Sequence, residues 1–76
     1  MSEKLEKIIS DYTTILPPYQ SETSLQNELG INSFIMVKLI VAIEDAFGIE
    51  FDLDVIDKDR LMTVGDLLNI LRKYDV

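Results

Sequence analysis

One run of residues dominates the chain: SFIMVKLIVAIEDAF, positions 33–47, set between Asn32 and Gly48. Asn32 is a good N-cap and Gly48 a good stop, so the spacing predicts a helix over 33–47. A chain of 76 residues buries only about 60% of its unfolded surface, which means one domain, 1–76, around one small core. A helix this apolar belongs in that core, and the other elements must arrange themselves around it.

On a wheel of about 100° per residue, Met36, Leu39, Ile40, Ile43 and Phe47 cluster on one side, which is the core face. Phe34, Val37 and Val41 make a second stripe on another side, within about a quadrant of Ser33 on that wheel. One small core takes only the first stripe completely. Two readings of the second stay open. The helix is buried on most sides as the centre of a bundle, or the stripe is an exposed patch for partners. Ile35 and Ala42 are expected to face solvent in either case.

The flanking segments supply partners for the core face. Leu5, Ile8, Ile9, Tyr12 and Ile15 fall on one helical face, predicting an amphipathic helix over 2–15, capped by Ser2 and ended by Pro17 and Pro18. Residues 16–32 read as a long connection, PPYQSETS being polar and turn-like, with Leu25 and Leu29 pinning it to the core through a short helical turn. Thr63 caps a last helix over 64–74, and Thr63 with Asp66 resembles a capping box. Val64, Leu67, Leu68 and Leu71 form its buried stripe, with Ile70 alongside. Residues 49–60 read as irregular, with a short helix near 55–60. The expected fold is all-α: a small four-helix bundle of three long helices and one short one.

Composition excludes several functions. There is no cysteine, which rules out disulfides and thiolate metal sites, and no histidine, the commonest general base and zinc ligand. A self-contained hydrolase or metalloenzyme is therefore not expected. The net charge of −7 argues against nucleic acid. Much of it lies in 44–60, where Glu44, Asp45, Glu50, Asp52, Asp54, Asp57 and Asp59 face only Lys58 and Arg60. Such a region is a solvated surface, or it steers a basic protein partner. DLDVIDKD, residues 52–59, invites comparison with an EF-hand loop. It fails, because Ile56 falls on an oxygen-ligand position, Asp57 on the glycine position and Thr63 on the final carboxylate position. The longest apolar stretch, LIVAI at 39–43, is far short of a membrane span, and MSEKLEKIIS has no signal-peptide core. The expectation is a soluble, cytoplasmic monomer.

Ser33 is the remaining oddity. It has no histidine or nearby lysine to activate it, and GINSF is not the nucleophile elbow G-x-S-x-G. A serine at a helix mouth commonly just satisfies an orphan N–H. It is also suited to carry an anion placed there by another enzyme, next to free N–H groups and the positive end of the dipole.

LGINSFIMVKLIVAIEDAFGIEF, residues 29–51, resembles the acyl and peptidyl carrier proteins. Leu29, Gly30, Asn32, Ser33 and Phe34 stand at the positions of that family's serine signature, Leu39, Ile43 and Phe47 at its helix core positions, and LMTVGDLL (61–68) resembles its entry into the last helix. The resemblance covers essentially the whole chain. It implies that Ser33 is the attachment point of 4′-phosphopantetheine, flanked by Asn32 and Phe34. A phosphopantetheinyl transferase would bring that group from coenzyme A with magnesium. It implies a non-enzymatic carrier whose arm holds an acyl or aminoacyl group as a thioester. The arm's own thiol fits a chain without cysteine. Loading and transfer enzymes with basic and apolar docking surfaces would meet Phe34, Val37, Val41, Glu44 and Asp45.

Two departures from the family pattern carry expectations of their own. Asn32 stands where the family usually has Asp. It caps equally well but lacks the charge, which predicts slower or more selective priming. Ile35 and Lys38 stand where carriers of dissociated fatty-acid synthases often have acids, and Phe34 replaces the common Leu. This apolar face points towards a specialised pathway, of nonribosomal-peptide or polyketide type, rather than the housekeeping fatty-acid carrier. The rival readings are an unprimed helical interaction module and a degenerate carrier that has lost priming.

Overall fold

The computed structural model describes residues 3–51 and 61–74. Among these, the chain forms three helices and no sheet: α1 (Glu3–Ser10), α2 (Ser33–Phe47) and α3 (Val64–Lys73). The expected count of four is not supported. The short helix predicted near 55–60, the acidic stretch 52–59 and the Ser2 cap lie outside the described residues.

α1 is shorter than the apolar spacing predicts. Leu5 and Ile9 are fully buried, but the helix ends at Ser10 rather than at the prolines. The N–H groups of Asp11 and Tyr12 donate to Ile8 O (3.2 Å) and Ile9 O (2.9 Å), three residues back, which tightens and closes the last turn. Thr13 then turns outward from the helical path. Its hydroxyl donates to Leu29 O at 2.7 Å and accepts from Ile15 N–H at 3.2 Å. Tyr12 still packs on the core, whereas Ile15 is left 48% exposed.

The connection from 16 to 32 does reach the core through Leu25 and Leu29, as expected, and also through Tyr19 and Ile31. Glu28 N–H and Leu29 N–H both donate to Ser24 O at 3.1 Å, forming the turn that carries the two leucines inward. Tyr19 is held by two contacts of 2.7 Å: its N–H donates to the Glu6 carboxylate, and its hydroxyl donates to Ile15 O. Burial, then the nearby Glu6 charge, pushes the Tyr19 phenol above its ordinary range. Further along, the connection is clasped to the start of α3. Leu25 N–H donates to Met62 O (2.9 Å), Val64 N–H to Thr23 O (3.0 Å) and Gly65 N–H to Ser21 O (2.8 Å).

α3 opens with the predicted capping box. Thr63 Oγ1 accepts from Asp66 N–H at 3.2 Å, and Asp66 Oδ2 accepts from Thr63 N–H at 3.0 Å and from Met62 N–H at 2.9 Å. Its buried stripe is Val64, Leu67, Ile70 and Leu71. Ile70 therefore takes the place expected of Leu68, which is only half-buried. Past the helix, Tyr74 meets Phe51 edge to face at 5.4 Å. The core that results, with Leu39 and Ile43 fully buried in it, holds α2 by one side only.

Candidate functional site

The mouth of α2 is built in four consecutive steps. Gly30 has φ of 69°, in the left-handed region, and no neighbour crowds its Cα. The glycine is therefore required by the backbone turn rather than by space. Ile31 is 1% exposed, and its N–H donates to Leu25 O at 2.8 Å, which pins the chain to the core just before the helix. Asn32 takes the extended N-cap conformation (φ −78°, ψ 179°), and its Oδ1 accepts from Ile35 N–H at 2.9 Å. Ser33 follows as the first helical residue, exposed between exposed Asn32 and Phe34. A buried anchor followed by a cap fixes where the hydroxyl stands and leaves it open to a macromolecule.

At the other end, Gly48 closes the helix in the left-handed conformation (φ 66°), its N–H donating to Glu44 O. Both predicted boundaries of α2 hold. The two-stripe question is also decided: Phe34, Val37 and Val41 are 72%, 56% and 50% exposed. The second stripe is an open apolar patch running down the helix from the serine. Ile35 and Ala42, expected to face solvent, are instead half-buried. The segment after α1 lies along their side of α2, and both residues line shallow grooves shared with Tyr12 and Lys38.

Electrostatically, the mouth suits an anion. α2 has no acid in its first turn, and the leading N–H groups of a helix have no partner within it. The single basic residue of α2, Lys38, places Nζ 5.0 Å from the centroid of the Phe34 ring. The two predicted acids of the patch part company. Asp45 is exposed, but Glu44 is half-buried and its Oε2 accepts from Phe51 N–H at 2.7 Å. That contact, a charge-assisted bond holding the turn after α2, had no signal in the local sequence. The position of Lys38 could have been anticipated from its i, i+4 spacing to Phe34.

A phosphoryl-linked group fits the residues present: an exposed primary hydroxyl, a capped helix start and no nearby carboxylate on the first turn. Among the described residues, no helix is long and apolar enough to cross a membrane.

Comparison with known proteins points the same way. Residues 3–71 match the family described as phosphopantetheine attachment site. The chain is 36% identical over 73 residues to an acyl carrier protein of Desulforapulum autotrophicum, covering 96% of this chain and 84% of that one. It is 32% identical over 74 residues to an acyl carrier protein of Sinorhizobium fredii (96% and 92%). It is 33% identical over 73 residues to one of Nitratidesulfovibrio vulgaris (95% and 93%). No solved structure matches at a significant level.

Proposed function

The chain belongs to the phosphopantetheine attachment family, and from that premise we propose that Ser33 bears the group and that the protein carries acyl cargo on it. Membership makes it a carrier rather than an enzyme, with 4′-phosphopantetheine as its covalent prosthetic group. The observation that supports Ser33 as the attachment point is its display: an exposed hydroxyl on the first residue of a helix whose start is capped by Asn32 and anchored by buried Ile31. The similarity to proteins named acyl carrier protein favours acyl over aminoacyl cargo.

The group supplies a flexible arm with a terminal thiol, on which cargo is held as a thioester. The chain's own residues do the rest. Asn32 holds the first turn so that Ser33 is presented in one place. The absence of acids in that turn leaves the phosphodiester unopposed. Phe34, Val37 and Val41 offer an apolar strip beside the arm's root, and Asp45 adds a charge at its far end. A phosphopantetheinyl transferase and the enzymes that load and unload cargo dock on this strip. Because the strip is apolar and is flanked by Lys38 where acids are often found, it suits partners of a specialised pathway. Glu44, half-buried and tied to Phe51, also supports the helix end.

Incubation with coenzyme A, magnesium and a broad-specificity phosphopantetheinyl transferase, followed by peptide fragmentation, tests this reading. The added mass is expected on Ser33. Attachment to another residue, or none on the folded protein, refutes it.

A further inference from the structure

Lys38 is an exposed residue whose side chain folds back along α2. Its Nζ sits 5.0 Å from the Phe34 ring centroid, and Phe34 is the residue next to Ser33. Helical side chains lean towards the N-terminus, so the charge lies nearer the serine end of α2 than its own Cα does. The ring beneath it is 72% exposed, and a cation on a solvated ring is held weakly. The first turn of α2 offers it no carboxylate.

We propose that Lys38 is the counter-cation of the phosphodiester on Ser33, leaving the Phe34 ring for that anion once the group is attached. The inference rests on the reading of Ser33 as the attachment point. A full negative charge attracts an ammonium more strongly than a ring quadrupole does, and a bond between two ionised groups is roughly twice as strong as a neutral one. Lysine suits such a move, because its flexible stem carries a compact charge with three donors. The consequence is a surface that differs before and after priming with no change in fold. Before priming, the ammonium sits over an exposed ring. After priming, that charge sits at the phosphodiester instead, and the strip of Phe34, Val37 and Val41 has lost its cation.

The molecule contains its own control. Lys4 Nζ lies 4.6 Å from the Phe47 ring at the opposite end of α2, about 20 Å along the axis at the α-helical rise. That exceeds the screening length of about 8 Å at physiological ionic strength, so Lys4 should not respond to priming.

The test compares unprimed and primed protein by NMR, with priming verified by mass. In the unprimed protein, the Lys38 ε-methylene protons are expected to be shifted upfield by the ring and to show cross-relaxation with Phe34. On priming, both signatures should fall, while those of Lys4 on Phe47 persist. The phosphorus resonance of the arm should coincide in wild type and Lys38→Arg, and should move in Lys38→Gln. High salt should shift wild type towards the Lys38→Gln position. Verified priming with the Lys38 signatures intact, and with the same phosphorus resonance in Lys38→Gln, overturns this inference alone. Folded protein that gains no mass overturns the attachment reading and this inference with it.

Discussion

Glu44 Oε2 accepts a hydrogen bond from the Phe51 backbone N–H at 2.7 Å, joining the last turn of α2 to the chain seven residues on. The pair gives Glu44 a structural task. Glu44→Ala leaves the Phe51 N–H without its acceptor and should cost about 1–3 kcal/mol. Glu44→Gln, which keeps an acceptor oxygen, should recover most of that. Chemical denaturation reads both. Equal stability of Glu44→Ala and wild type would show that the contact carries no weight.

Asn32 separates capping from charge. Asn32→Ala removes the acceptor for Ile35 N–H and should cost about 1 kcal/mol. Asn32→Asp keeps the cap and adds a negative charge, so its stability should match wild type while its priming rate rises. A denaturation curve and a priming time course on the same preparations separate the two effects. An unchanged priming rate in Asn32→Asp would remove the charge from the account of transferase selectivity.

The two apolar stripes of α2 predict opposite outcomes for similar truncations. Phe34→Ala, at a side chain 72% exposed, should change stability by no more than about 0.5 kcal/mol and weaken engagement of a partner enzyme. Leu39→Ala, at a fully buried side chain, should cost about 2–5 kcal/mol. Thermal denaturation beside a partner-dependent transfer assay distinguishes them. A large stability loss in Phe34→Ala would mean that the ring supports the fold.

Much of this was legible in the sequence. α2 could be placed to the residue because both its ends carry chemical stops, Asn32 and Gly48, and its interior contains none. The same holds for the Thr63–Asp66 opening of α3. α1 is shorter than its spacing predicts, because Tyr12 and Ile15 continue the helical pattern past Ser10. Spacing reports which side chains share a side, and Tyr12 does pack on the core. Here the backbone leaves the helix because Thr13 is bonded to Leu29, a partner distant in sequence. Long-range placement also hid the half-burial of Ile35 and Ala42 and the task of Glu44. Tyr19 and Ile31 gave no periodic signal as anchors, since each is a lone apolar residue in a connection. At the site, the serine, its cap and the apolar strip could be read from spacing on one helix. Spacing also puts Lys38 and Phe34 on one face, but the turn of Nζ over the ring is a rotamer choice that spacing does not fix.

Gly65 tests the clasp between the long connection and α3. A Cβ there would lie 2.8 Å from Ser21 O, the oxygen that accepts the Gly65 N–H. Alanine normally gains about 1 kcal/mol over glycine within a helix. Here the clash is with backbone, and overpacking typically costs about 1–3 kcal/mol. Gly65→Ala should therefore lower the melting temperature. An increase would show that the clasp yields without cost.

The central claim is that Ser33 is a carrier serine, and intact mass tests it most directly. Wild type and Ser33→Ala are measured before and after incubation with coenzyme A, magnesium and a broad-specificity phosphopantetheinyl transferase, with folding checked by circular dichroism. The account predicts a gain of one phosphopantetheine in wild type and none in Ser33→Ala. A folded wild type that gains nothing, or a Ser33→Ala variant that gains the same mass, contradicts it.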